Sequence, residues 1–370
     1  MKQLIFFKKT LLFAVLFPLH AIAIDFKVGD LYYNILSDNT VEVTQRSQLS
    51  GDIVVPETVT HGDRTYIVTA IGDGAFIYCS DLTSVKLPPT IKSIGYRAFF
   101  ECTNLASIQL PMNIETIEEG AFEECTSLRE IELPEKLTYL GDNAFMACYN
   151  LMSVIFHSGL TTLGEDVFWK CGLTSVVLPE GLTTIGNGAF IFCENLSSVT
   201  FPNSLSSIGQ QSFDGCNSLT SIILPKNVKF IGDFAFGGTN ITSLYCKAVT
   251  PPSCEREILN ISQYDKCTLY VPENSEKKYS EIFPWSEFGR IESLSVTGIG
   301  HIDVSENSKE IKIKDGRIYV NGIHEGEFVE IYDITGRLVC KSQGTNFEVP
   351  ASGLYIIKIG QSIVKLNVVL

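Results

Sequence analysis

An α/β solenoid of short strands and short helical turns, capped at both ends and followed by a small all-β sandwich, is the fold class this sequence predicts. Three observations carry it. Eight phenylalanines (Phe76, Phe99, Phe122, Phe145, Phe168, Phe190, Phe213 and Phe236) recur at a spacing of 23 residues, with a single interval of 22. Seven cysteines (Cys79, Cys102, Cys125, Cys148, Cys171, Cys193 and Cys216) each follow such a phenylalanine by three residues. The last 60 residues abandon this period for short alternating apolar segments. A period of this size means one supersecondary unit per repeat, stable only when stacked between copies of itself.

Residues 82–95, LTSVKLPPTIKSIG, show what one unit does. Leu82, Val85 and Leu87 take strand-like core positions, Pro88 turns the chain, and Ile91 and Ile94 point back inward. Gly95 is expected to permit the next turn, and Ala98, Phe99, Cys102 and Leu105 then fall on the apolar stripe of a short helix. Seven of the eight units keep the turn glycine (Gly72, Gly95, Gly141, Gly164, Gly186, Gly209 and Gly232), and Glu118 replaces it in the third.

The amino-terminal 23 residues read as a secretory leader. Lys2, Lys8 and Lys9 precede an apolar run over residues 11–19, and Ala21-Ile22-Ala23 is a small-x-small cleavage site. The run is shorter than the ~20 residues a membrane helix needs, and no later segment is apolar enough for one. Removing three lysines and no acid takes the formal net charge from −14 to −17. Such a surface repels phosphate backbones, which excludes nucleic acid as a partner.

An exported chain with eleven cysteines invites a disulfide framework. Seven equivalent thiols, however, cannot pair off uniformly, so the ladder is expected to be free and buried, each cysteine acting as a small hydrophobe. Cys246, Cys254 and Cys267 lie outside it, and their disulfide state is left open. After the leader, histidines stand only at His61, His157, His301 and His324, and no pair has metal-ligand spacing. Gly186-Asn187-Gly188 begins like a dinucleotide fingerprint, but Ile191 stands where the third glycine belongs. No cofactor, metal or catalytic residue is expected, and the chain is not expected to be an enzyme. Glu118, Glu119, Glu123 and Glu124 are expected to form a solvated face.

The pattern over residues 71–88, IGDGAFIYCSDLTSVKLP, resembles the BspA-like leucine-rich repeats of bacterial surface proteins, and residues 67–245 follow it. The resemblance implies an exported, surface-displayed protein that binds other proteins, with host matrix or a neighbouring cell surface as expected partners. A structural or assembly role in the envelope is the alternative. Residues 25–69 resemble that family's amino-terminal cap, and residues 245–291, with CKAVTPP, CTLYVP and Trp285, its carboxy-terminal one.

The expected domains are thus the leader at 1–23, a β cap at 24–69, eight solenoid units at 70–245 and a second cap at 246–292. A linker at 293–310 and a β-sandwich at 311–370 follow. Asp315-Gly316 and Thr335-Gly336 read as tight turns in the last of these. Two of its motifs, VEIYDITGRLV at 329–339 and VPASGLYIIKI at 349–359, resemble the carboxy-terminal sorting domain of Bacteroidota type IX secretion substrates. That resemblance implies engagement of the export machinery and a secreted or outer-membrane-attached protein. One departure is the end, KLNVVL, where Lys365 is the lone basic residue of a tip that is more basic in many family members.

Variation between units concentrates on the strand face turned away from the core. One outward column reads Ser84, Ser107, Glu130, Ser153, Ser175, Ser198, Ser221 and Ser243; small side chains there either leave the sheet open to a partner or relieve crowding on a curved sheet. Its neighbour reads Lys86, Gln109, Glu132, Ile155, Val177, Thr200, Ile223 and Tyr245, passing from polar to largely apolar. Met152 lies beside it, and Arg129, Glu130 and Glu132 form a charged step before it. Apolar residues on an exposed sheet mark an interaction patch. The candidate ligand-binding set is therefore Arg129, Glu130, Glu132, Met152, Ile155, Val177, Ile223 and Tyr245. A protein ligand, the C-terminal domain and a second copy of the chain are all occupants this pattern allows.

Overall fold

The computed structural model describes residues 24–44, 48–294, 302–304, 309–314, 317–321, 328–333, 338–348, 353–359 and 362–368. The expected leader, the expected turns at Asp315-Gly316 and Thr335-Gly336, and most of the expected linker lie outside the described residues. The chain forms two compact units, Met1–Leu173 with Ile185–Glu194 and Thr174–Thr184 with Asn195–Leu370.

In the first unit the amino-terminal strands Phe26–Val28, Leu31–Ile35 and Thr40–Thr44 make an antiparallel meander. Thr40–Thr44 then pairs in parallel with Arg64–Ile71, and the two-residue strands Ser93–Ile94, Thr116–Ile117 and Tyr139–Leu140 extend that wall one coil at a time. A second parallel wall contains Gly51–Val54, Leu82–Lys86 and Ser107–Gln109, and Glu130–Glu132 pairs with Ser153–Ile155. Alternation along these strands decides what is buried. Val85, Ile108, Ile131 and Val154 occupy matching register positions and point inward.

The third side of each coil is not helical, which corrects the expected α/β character: the solenoid is a β-solenoid. Among the described residues the α-helices are Ile261–Tyr264 and Glu276–Ser280, both in the second unit's cap. The reason lies in the backbone around each phenylalanine. Arg97 (φ 49°) and Glu101 (φ 55°) both adopt the left-handed region, and pairs four residues apart recur, as in Asn143 and Ala147. A right-handed helix cannot pass through such residues.

Hydrogen bonds alternate accordingly. The N–H groups of Arg97, Phe99 and Glu101 donate to Glu119, Ala121 and Glu123 carbonyls of the next coil at 3.0, 2.7 and 2.9 Å. Those of Ala98, Phe100 and Cys102 turn back to carbonyls three residues earlier. The apolar stripe is real, but a staircase of turns carries it, and every coil needs its neighbour to satisfy half of these donors.

The repeat glycines have a different cause from the one their sequence suggests. A Cβ at Gly141 would stand 2.5 Å from the Glu119 nitrogen, and one at Gly232 only 2.4 Å from that of Gln210. Close stacking of backbone on backbone, rather than a positive φ, excludes a side chain there.

The core is a ladder of rings. In the first unit Phe76, Phe99, Phe122, Phe145, Phe168 and Phe190 are fully buried, with successive centroids 4.9, 5.0, 5.2, 5.6 and 5.4 Å apart and nearly parallel planes. In the second unit Phe213 stacks on Phe236 at 5.6 Å. Full burial of such a ring is worth roughly 1.5–3 kcal/mol. The ladder cysteines are buried and free, as are Cys246 and Cys267. They do more than fill space: the Sγ of Cys102, Cys125, Cys148, Cys171 and Cys193 donates to the carbonyl of Phe76, Phe99, Phe122, Phe145 and Phe168 at 3.0–3.1 Å. Each thiol thus ties one coil to the coil before it. Burial pushes the Cys193 thiol up to about 12, so these groups stay protonated and unreactive.

In the second unit Ser175–Val177 pairs with Ser198–Thr200, and Ser207–Ile208 with Phe230–Ile231. The parallel set Ser221–Leu224, Ser243–Cys246, Thr268–Pro272 and Arg290–Leu294 carries the strand wall into the carboxy-terminal cap. Buried Tyr279 and Trp285 anchor that cap, their polar tips donating to the carbonyls of Ala248 (2.7 Å) and Pro252 (2.9 Å). Among the described residues, the eight strands between Ile302 and Val368 form two four-stranded antiparallel sheets. Ile311, Ile318, Val320 and Phe347 of one sheet and Val329, Ile331 and Ile357 of the other make a common buried cluster. Among the described residues no helix is long and apolar enough to cross a membrane.

Candidate protein-binding face

The inward register fixes where the remaining strand residues point. In the first unit Glu130 pairs with Ser153 and Glu132 with Ile155, while the Met152 N–H donates to the Arg129 carbonyl at 2.9 Å. Five of the eight expected residues therefore come together: Glu130, Glu132 and Ile155 on two adjacent strands, with Arg129 and Met152 immediately before them. All are exposed, Met152 and Ile155 to 50% and 52%. His157 joins them, its Nε2 3.1 Å from Glu132 Oε1.

The same wall begins one strand earlier than the repeats do. Asp52, paired with Ser84, accepts hydrogen bonds from Ser84 Oγ (2.6 Å) and Thr83 Oγ1 (2.8 Å), which hold its carboxyl below the usual carboxylate range. Val54, paired with Lys86, is 65% exposed.

In the second unit Val177 is 43% exposed and pairs with Thr200. Ile223 pairs with Tyr245, and both are half-buried. Tyr245 in turn pairs with Tyr270, their rings stacked at 4.6 Å and 10°. Burial raises the Tyr245 phenol above its ordinary range, with the Tyr270 hydroxyl as a second cause. Glu292 takes the next register position.

Sequence reasoning missed Val54, His157, Tyr270 and Glu292. A signal was present for two of them. IVV at 53–55 and LYV at 269–271 repeat the inward-outward-inward spacing of VKL at 85–87, so the column continues into both caps. The pairing of His157 with Glu132 depends on stacking across 25 residues, which no local pattern reveals. Among the described residues no group of three or more His, Cys, Asp or Glu side chains could hold a metal ion.

The family model for the BspA type leucine rich repeat region matches residues 69–196, 143–251 and 183–312. The chain belongs to this family. Among solved structures it is similar to a leucine-rich repeat protein of Bacteroides ovatus ATCC 8483, at 26% identity over 73% of this chain and 76% of that one, with a TM-score of 0.51. A leucine rich cell surface protein of Faecalibacterium prausnitzii A2-165 is 20% identical over 73% of this chain and 94% of its own, with a TM-score of 0.44. The T. pallidum leucine rich repeat protein is 28% identical over 56% and 86%, with a TM-score of 0.43. No curated protein matches the chain.

Proposed function

We propose that this protein is an exported, non-catalytic binder of other proteins, and that the outward strand columns are its contact surface. The observation that carries the reading is the exposure of Ile155 and Val177 at outward strand positions, with exposed Met152 just before the strand of Ile155, where the first-unit neighbours Lys86, Gln109, Glu130 and Glu132 are polar. Apolar side chains on an open sheet favour a partner that desolvates them, and the surrounding charges set its orientation. Membership of the repeat family supports the same reading.

The finer elements follow from sequence. Residues 1–23 act as a cleaved leader, residues 311–370 as a sorting domain that engages the type IX export machinery, and the mature protein is secreted or held at the outer-membrane surface. Its partner is a host matrix component or another cell surface.

The test is capture from matrix and serum proteins by the mature chain, compared with a Val177→Asp/Ile223→Asp variant. Each aspartate places a charge in a contact that must lose water. Saturable binding that the variant loses supports the reading; equal capture by a variant with an unchanged melting temperature removes these residues from the binding surface.

A further inference from the structure

The carboxy-terminal cap carries a second surface, formed by the segments that flank the strand Thr268–Pro272. A cleft of about 270 Å³ is lined by Glu257, Ile261, Tyr264, Asp265, Phe283 and Glu287. Ile261 is 76% exposed and Phe283 48%, although the same cap buries Tyr264, Trp285 and Phe288. A fold that seals its large rings this thoroughly does not gain from leaving an isoleucine and a phenylalanine open beside one another's cleft.

Chemistry of the lining defines the occupant. Three of its six residues are acids and none is basic. The nearby Arg256 is paired with Asp233 at 3.7 Å, and Lys277 with Glu281 at 3.7 Å. The Tyr264 hydroxyl is already committed to the backbone N–H groups of Ile258 and Leu259 at 2.9 and 3.4 Å. It holds the wall in place; Ser286 Oγ donates to Glu287 Oε1 at 3.3 Å, and the three carboxylates remain the charged groups of the cleft. An apolar partner alone would strand three carboxylates against it, and a small hydrated cation would leave Ile261 and Phe283 in water. A lysine or arginine side chain answers both, since its methylene stem covers apolar surface while its head reaches the carboxylates.

We propose that this cleft binds a basic, amphipathic peptide segment of a partner protein, with an arginine or lysine in the cleft and an adjacent apolar residue against Ile261 and Phe283. The site is independent of the strand columns and stands whether or not they bind a partner. Fluorescence anisotropy with the mature full chain tests it, using fluorescein-labelled Gly-Leu-Arg-Leu-Arg-Gly. Glutamate-for-arginine and serine-for-leucine versions of the peptide serve as controls.

Saturable binding of the first peptide is expected, with affinity falling as salt rises. Glu257→Gln combined with Glu287→Gln, and separately Ile261→Ser, should each weaken it by on the order of tenfold or more, while Val177→Asp leaves it unchanged. All these positions lie at the surface, and matching melting temperatures confirm that the variants fold. Absence of saturable binding overturns the proposal, as does equal binding of either control peptide. Affinity unchanged in both the glutamine pair and Ile261→Ser overturns it too, since the peptide would then be following net charge alone.

Discussion

The Arg97 guanidinium meets Glu123 Oε2 at 3.4 Å across neighbouring coils, within a column whose other members in the first unit are Ile77, Phe100, Met146, Trp169 and Ile191. Glu123 is buried, which corrects its expected place on a solvated acidic face. Its partner is itself held over the rings of Phe100 at 4.6 Å and Tyr96 at 5.3 Å. Arg97 acts on Glu123 and Glu101, and it does not offset the burial of either. Desolvation first, then repulsion from Glu124, Glu119 and Glu101, lifts Glu123 to about 7 against the opposing pull of Arg97.

The first prediction is a stability that rises in mild acid. A carboxyl whose folded value lies above its unfolded one binds more protons when folded. Its contribution is therefore complete below the ordinary carboxylate value of 4.5 and is lost as pH climbs through about 7. Glu101, Glu118, Asp166 and Asp214 are raised too, and so carry the same sign. Urea melts at pH 8 and pH 6 should show the chain more stable at pH 6, and Glu123→Gln should gain on the order of 1–3 kcal/mol at pH 8 while flattening the difference. A stability that falls between pH 8 and pH 6 would sink this account.

The second prediction separates ring ladder from outer turn. Phe145 stacks between Phe122 and Phe168 and is fully buried, so Phe145→Ala should cost ~3–5 kcal/mol through lost transfer energy and a cavity. Glu124 lies in the left-handed region at φ 61°, where two of the five later units carry a glycine, Gly215 and Gly238. Glu124→Gly should therefore stabilise by about 1 kcal/mol, and Glu124→Ala should stay within about 0.5 kcal/mol. Denaturant melts of the three variants check the order.

How much of this was legible follows from what each residue answers to. Leu82, Val85, Leu87 and Phe99 announce themselves because burial repeats with the coil, and a one-residue slip would expose them all. The left-handed backbone shows in the sequence between units rather than within one: Gly74, Gly120 and Gly188 stand at the place of Arg97 and Gly215 and Gly238 at that of Glu101, while Arg97 and Glu101 themselves are not residues that prefer it. The stripe Ala98, Phe99, Cys102 and Leu105 is equally compatible with a helix. Tyr270 and Val54 lie in caps, where the repeat pattern fades although the register does not. Contacts one coil apart, such as Arg97 with Glu123 and His157 with Glu132, depend on stacking offsets of 25 or 26 residues and on rotamers that periodicity leaves free.

The third prediction concerns the thiols. The seven ladder cysteines are buried, Cys254 and Cys340 half-buried, and all are free. A thiol reagent added to the native chain should leave the ladder unlabelled, with any reaction confined to Cys254 and Cys340, and denaturation should expose all eleven cysteines. Cys125→Ala should cost more than its lost volume alone, because it also removes the donor to the Phe99 carbonyl at 3.1 Å. Rapid native labelling of the ladder, or mass-mapped disulfides within it, would contradict this arrangement.

The last prediction tests the junction of solenoid and cap through Tyr245 and Tyr270. Their rings lie 4.6 Å apart and nearly parallel, on strands paired residue for residue. The stack is half open to solvent, so it adds modestly to stability while completing the outward column beyond the last repeat. Tyr245→Ala and Tyr270→Ala, singly and together, form a double-mutant cycle in which the coupling energy should be about 0.5–1.5 kcal/mol. Additive single costs would mean that the rings contribute by area alone. If the column is a contact surface, Tyr270→Ala should also weaken a partner that Val177→Asp/Ile223→Asp weakens, although Tyr270 lies outside the repeats. A partner indifferent to Tyr270 but lost with Val177 and Ile223 would end the contact surface at Tyr245, leaving the cap tyrosine a purely structural neighbour.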